Sequence, residues 1–317
     1  QEIRPDVLHI QYQTAAYALH PAVNFLPWWV KKRGGAEAPR VVVTFHDVKV
    51  PYLFPKAGPL RGWVTRFIAR ASDAFNVTNE EDFQEVLRYR WRRPPQLIPI
   101  GSNIIPSPPE GYSREAQRAR WGFAPDAVVI CYFGFLNESK GGETLIRVLD
   151  TLVEKGYNSH LLMIGGRVGS SDPTNMAYAR HIDRLIESLG LVGRVQWTGF
   201  TQDEEVSANF LAADICLLPY RDGVSFRRGS FMAALAHGRA IVSTEPRVSI
   251  PELREGENIA LALPGDVPAL VAKVEELIQN PDGRRALENG ARELSRLFGW
   301  DAIARRTEDV YRELEAR

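Results

Sequence analysis

Cysteine is scarce: two in 317 residues, Cys131 and Cys216. Both lie inside apolar runs, which excludes a disulfide framework and reads as buried thiols of a cytoplasmic protein. Long apolar runs are missing too. None could span a bilayer, and no secretory leader is expected. The six histidines lack metal-ligand spacing, so no metal site is expected. No apolar strand runs into a G-x-G-x-x-G turn, which disfavours a dinucleotide oxidoreductase. Net charge is zero, and nucleic acid is not an expected partner.

What is present fits a globular protein of two domains. Hydrophobic content is 44% and charged content 25%, and the length allows two substantial cores. The charge is unevenly spread. Residues 1–108 hold 14 Lys and Arg against 9 Asp and Glu, a balance of +5, and the rest of the chain carries −5. A basic first part predicts either an anionic acceptor or peripheral contact with anionic lipid at the inner membrane face. An uneven spread by chance is the plain alternative.

Short continuous apolar runs alternate with helical patterns, the signature of parallel α/β sheets. Strands are expected at 7–12, 41–45, 74–77 and 97–100, then at 128–133, 160–164, 195–197, 215–218, 240–243 and near 260–263. Between them, 58–70 reads as a helix, and Thr78 with Glu81 reads as a capping box. Residues 102–113, rich in Pro, Ser and Gly, read as an interdomain linker. The expected division is a first domain at 1–108, a second at 109–298 and a final helix at 299–317. The first has only three or four strands where a doubly wound domain carries about six. Missing N-terminal βα units are therefore expected.

Residues 212–244 are the most legible stretch: strand, basic loop, helix, strand. Ser230 and Gly238 read as the caps of the helix. The N–H groups at a helix start favour an anion, and adjacent arginines strengthen that preference. Arg227, Arg228, Gly229 and Ser230 are thus candidates for a phosphate site. An ordinary βα loop with solvated arginines is the plain alternative.

Several segments, in order, resemble the GT-B glycosyltransferases, in particular retaining family 4. FGFLNESKGGETL stands where that family has a Gly-Arg-Leu turn and a Glu-Lys-Gly. Gly165-Gly166, RVQWTGF, AADICLLPY, AALAHGRAIVST and ENIALALPGDVPAL match its later segments. VLHIQY, VVVTFHD and LIPIGSN match more weakly in the first domain. The resemblance implies two Rossmann-like domains facing a cleft, the second binding a nucleotide-diphosphate sugar and the first most of the acceptor. It also implies a metal-independent reaction without a cofactor, and a last helix that crosses back to the first domain. Trp300, Ile303, Val310 and Leu314 would form the buried stripe of that helix. Fixed cations and N–H dipoles would then neutralise the departing diphosphate. Lys140 matches the family lysine. Gly134, Asn137, Gly199, Phe200 and Ser225 stand at donor-side positions.

The departures bear on activity. The family's arginine after the first Gly is Phe135 here, and its two glutamates fall on Ser225 and Ala233. Arg227 and Arg228 are candidate replacements for the lost cation. In the first domain, His46 follows a strand end, where α/β sheets hold their ligands. It is the candidate catalytic residue beside the sugar or acceptor; the alternative is a capping His-Asp turn. The leading expectation is sugar transfer to an acceptor hydroxyl of a glycan, lipid or small molecule. The runner-up is a catalytically impaired sugar-nucleotide-binding or partner-binding module.

Overall fold

A computed structural model describes residues 4–18, 20–48, 60–167 and 173–316. The chain divides into two compact units, Gln1–Ile100 with Trp300–Arg317, and Gly101–Gly299. In chain order the elements of the first stretch are β1 (Val7–Tyr12), α1 (Ala22–Gly34), β2 (Arg40–Phe45), α2 (Leu60–Ala71), β3 (Ala74–Val77), α3 (Glu80–Leu87) and β4 (Gln96–Leu97). The second unit holds α4 (Arg114–Arg120), β5 (Val128–Phe133), α5 (Gly142–Glu154), β6 (Ser159–Ile164), α6 (Pro173–Ser188), β7 (Val195–Trp197), α7 (Asp203–Ala212) and β8 (Ile215–Leu218). It continues with α8 (Gly229–Ala236), β9 (Ala240–Thr244), β10 (Ala260–Ala262), α9 (Val267–Gln279) and α10 (Pro281–Ser295). The last helix, α11 (Trp300–Glu315), belongs to the first unit.

The first unit is built on four parallel strands in the order β1-β2-β3-β4. Its centre is the run VVVTF, in which Val41, Val42 and Val43 are fully buried. Alternate residues point to opposite faces. Val41, Val43 and Phe45 pack with Val23 of α1, Ile68 of α2 and Val86 of α3. Val42 packs instead with Ile98 and with Val310 and Leu314 of α11. Sequential strands joined by right-handed crossovers carry their helices on one face. The returning α11 covers the other.

The stripe expected on α11 is buried at Val310 and Leu314 and partly at Ile303, but Trp300 is 48% exposed. Trp300 is the first residue of the helix, so it precedes the stretch of stripe that meets the sheet. The helix expected at 58–70 begins at Leu60; residues 58 and 59 lie outside the described residues. The cap of α3 is Asn79, whose Oδ1 accepts from the Asp82 N–H at 2.9 Å. The Thr78–Glu81 reading was one residue early because both frames place an acid three residues after a polar one.

The second unit is built on six parallel strands in the order β10-β9-β8-β5-β6-β7, so the order reverses between β5 and β8. Right-handed crossovers on the two sides of a reversal send helices to opposite faces. Accordingly α5 packs with α6 and α9, while α4 packs with α7 and α8 with α10. Cys131 and Cys216 sit side by side on β5 and β8 as buried free thiols. The segment expected to link two domains, 102–113, lies in this unit. Ile104 packs on its core, and the Ser107 N–H donates to the Ser207 hydroxyl at 2.9 Å. The units therefore divide after Ile100, ahead of the expected 108, because a Pro-rich stretch can dock as well as swing.

Candidate functional site

In a doubly wound sheet the ligand crevice opens at the strand-order reversal, beyond the strand C-termini. Here that place is the pair of loops after β5 and β8. In the first loop Asn137 caps a short 3-10 turn, Glu138–Lys140. Its Oδ1 accepts from the Lys140 N–H at 3.1 Å and the Ser139 hydroxyl at 2.9 Å. Gly141 follows with φ +73°, and a Cβ there would lie 1.8 Å from the Pro219 carbonyl oxygen. Only glycine admits that approach. The Arg221 N–H donates to the Ser139 carbonyl at 2.9 Å, and Arg221 pairs with Glu138. The two loops are thus fastened together.

Lys140 is carried to Gly134, the first residue after β5. A Cβ on Gly134 would lie 3.4 Å from the Lys140 Nζ and 3.9 Å from the Ser230 Cβ. Burial, and next the nearby Arg228 guanidinium, lower the Lys140 pKa. Among the described residues no carboxylate lies within ion-pair distance of its ammonium. A half-buried cation beside a second cation is stabilised by a bound anion. Arg228 is held by an ion pair to Asp222 and lies over the Tyr220 ring at 4.5 Å. Tyr220 is fully buried, and its hydroxyl shares a 2.6 Å hydrogen bond with Ser230 Oγ.

Of the residues singled out in the sequence, Gly134, Lys140, Arg228 and Ser230 come together. Asn137 acts through the backbone of Lys140. Ser230 does not cap α8: the cap position is Arg228, and no side chain caps the helix. The Ser230 hydroxyl is turned to Tyr220 instead. Gly229 is the exposed first residue of α8. Ser225 is half-buried and its carbonyl accepts from the Arg228 N–H at 3.0 Å. Arg227 is exposed and is not among the groups at Gly134. Gly199 bridges Gly165, whose Cβ would lie 3.6 Å from the Gly134 nitrogen. Phe200 is 83% exposed. Tyr220 and Asp222 were missed as participants. A tyrosine directly after an apolar strand and an acid six residues before an arginine were the available signals.

In the first unit His46 follows β2, and its Nε2 lies 2.9 Å from Gln11 Oε1. The amide oxygen can only accept, so Nε2 carries the proton and Nδ1 is left as the acceptor. Burial lowers the His46 pKa, which keeps the ring neutral at pH 7. Gln11 Nε2 reaches His9 Nε2 at 3.3 Å, and His9 also meets Thr44 Oγ1 at 2.8 Å and the Tyr311 hydroxyl at 2.6 Å. Burial first, and His46 second, lower the His9 pKa. A chain of polar contacts therefore joins α11 to His46. Among the described residues no cluster of three His, Cys, Asp or Glu is placed to hold a metal ion.

Comparison with known proteins places these observations. Residues 127–280 match the family described as Glycosyl transferases group 1. A D-inositol 3-phosphate glycosyltransferase of Streptomyces coelicolor is 22% identical over 326 residues, covering 96% of this chain and 68% of that protein. One from Streptomyces bingchenggensis is 24% identical over 253 residues, 78% of this chain and 54% of its own length. The chain thus spans between about half and two thirds of these relatives. Anabaena HepE, solved with UDP, superposes with a TM-score of 0.78 at 17% identity, over 97% of this chain and 79% of that one. Sucrose-phosphate synthase of Thermosynechococcus elongatus gives 0.71 at 22% identity, over 98% and 74%. The fold is that of the GT-B glycosyltransferases, as the motifs implied.

Proposed function

We propose that this chain, which carries a group 1 glycosyltransferase domain, transfers a sugar from a nucleotide-diphosphate donor to an acceptor hydroxyl. The observation that carries the reading is the convergence of Lys140 and Ser230 on Gly134, with Arg228 close enough to depress the lysine's pKa. In the reaction the bond from the anomeric carbon to the diphosphate oxygen breaks, and the acceptor oxygen bonds to that carbon. The acceptor proton passes to the departing diphosphate. Lys140, Arg228 and the N–H groups of Gly229 and Ser230 supply the positive field at the leaving group without a metal ion. His46, neutral with Nδ1 open, accepts a hydrogen bond from a sugar or acceptor hydroxyl. Retention at the anomeric carbon follows from the family resemblance. The protein works in the cytoplasm, with its basic first unit against anionic lipid.

The test is calorimetric titration with UDP, the nucleotide bound in the HepE structure, followed by assay of sugar release from UDP-glucose. Binding weakened in Lys140→Ala supports the site. No binding by the wild type of any of the common nucleoside diphosphates would end the reading. A second reading, a catalytically impaired sugar-nucleotide-binding or partner-binding module, is favoured by one observation. Ala233, at the position of a family glutamate, is fully buried in α8. Nucleotide binding without turnover on a panel of donors would select it.

A further inference from the structure

α1 and α2 carry Lys32, Arg33, Arg66 and Arg70 and no acidic residue, and a further cation, Lys31, is paired with Asp73 just beyond α2 at 2.9 Å. They also carry large rings on the outside: Phe25 is 39% exposed, Trp28 47%, Trp29 48% and Trp63 48%. The rings are contiguous between the two helices. Phe67 lies 5.2 Å from Phe25 and stacks on Trp63 at 5.4 Å. Trp28 and Trp29 follow Phe25 at helical spacing on α1. Lys32 lies over Trp28 and Arg33 over Trp29, each at 5.0 Å. On the α3 side of α2, Arg66 lies over Tyr89 at 5.0 Å.

We infer that this face of α1 and α2 docks flat on an anionic phospholipid bilayer, its rings among the lipid glycerol and upper acyl groups and its cations at the phosphates. Charge complementarity argues for the occupant, since neither helix has an acid to repel a phosphate surface. The pairing of ring and cation argues for a bilayer in particular. Aromatic and cationic side chains at one depth match the interface, where the medium changes from apolar to charged within a few ångströms. A polyanion bound by base or sugar stacking needs bare ring faces, and Trp28 and Trp29 each have a cation of this chain over one face. The inference deepens the proposed lipid contact and does not depend on sugar transfer.

The test is flotation of the full chain with vesicles of phosphatidylcholine alone, and with about a third phosphatidylglycerol. Binding is expected only to the anionic vesicles and should weaken with salt. Brominated lipid should quench the tryptophan fluorescence. The double variant Trp28→Ser/Trp29→Ser should lower vesicle affinity about tenfold or more, and Lys32→Glu/Arg33→Glu should do the same. All four side chains are exposed, so thermal melts of both variants should match the wild type. Equal binding to neutral vesicles, unchanged affinity in both double variants, or no quenching overturns the proposal. So does capture of a single-stranded RNA oligonucleotide that displaces the vesicles, which would assign the face to nucleic acid. Because no nucleotide sugar is present, each of these failures leaves the transfer reading standing.

Discussion

In the first unit the strands run β1-β2-β3-β4, each beside its successor; in the second they run β10-β9-β8-β5-β6-β7. Both sheets are parallel and both are covered by helices. Only the second reverses, and only there do two loops that are far apart in sequence, after β5 and after β8, leave the sheet side by side. That is how Lys140 and Ser230 reach one glycine. The first unit has no reversal among its described strands. Its candidate residue, His46, is instead set by a lateral chain of side chains, Gln11, His9 and Tyr311, running to a helix from the far end of the sequence. One unit places its chemistry by topology, the other by hydrogen bonds.

The sharpest way to break this contrast is at Gly141, where the two loops of the second unit touch. Gly141→Ala forces a Cβ against the Pro219 carbonyl at a positive φ and should destabilise the second unit by about 3–5 kcal/mol. Gly35 has φ +54° and ψ −125° but no neighbour within 4 Å, so Gly35→Ala should cost backbone strain alone, about 1–3 kcal/mol. Urea unfolding of both variants measures the difference.

A slightly smaller effect is expected from pH. His237 is buried, its Nδ1–H donating to the Ala233 carbonyl at 2.7 Å and its Nε2 facing the Ser207 hydroxyl at 3.0 Å. Burial lowers its pKa to about 4. Above pH 6.5 the ring is neutral folded or unfolded, and its contribution is complete. Below that the unfolded chain takes up a proton that the folded chain refuses. Stability should therefore fall by about 3 kcal/mol between pH 6.5 and 4. A His237→Gln variant should show a flatter profile over the same window.

Ligand binding should report the second unit alone. Lys140→Ala should weaken UDP by about 1.5–3 kcal/mol. Arg228→Ala should cost less, since its guanidinium already has Asp222 as partner. Affinity should also fall with rising pH earlier than for an ordinary lysine, in line with the lowered Lys140 pKa. The smallest effect tests the first unit. Tyr311→Phe removes the hydrogen bond to His9 and should cost about 1 kcal/mol in urea unfolding, with UDP affinity unchanged. Gln11→Leu should leave UDP affinity unchanged too, but should release the His46 tautomer, visible in its ring nitrogen shifts.

Much of this was legible in the sequence. Runs such as VVVTF and ICLL announce buried parallel strands because such strands need no alternation, and Lys140 and Ser230 stood out by position. What was not legible depends on groups far apart in sequence. Nothing in AADICLLPY says that Pro219 will press on Gly141, or that Tyr220 will take the Ser230 hydroxyl while α8 starts at Gly229. The linker reading of 102–113 failed for a related reason: Pro and Ser describe local stiffness, and docking of Ile104 is decided by the surface it meets. The stripe on α11 was right at Val310 and Leu314, where periodicity suffices. It missed at Trp300, where the length of the sheet beneath decides.

The return of α11 also sets an order of events during synthesis. The first unit needs Val310 and Leu314 to cover Val42 and Ile98, and these are made only after the whole second unit. The second unit is complete at Gly299 and can fold while the first sheet still has one apolar face bare. Strands β1 to β4 are thus made before the second unit but covered after it. Until α11 emerges, the nascent first sheet is the segment a chaperone must shield.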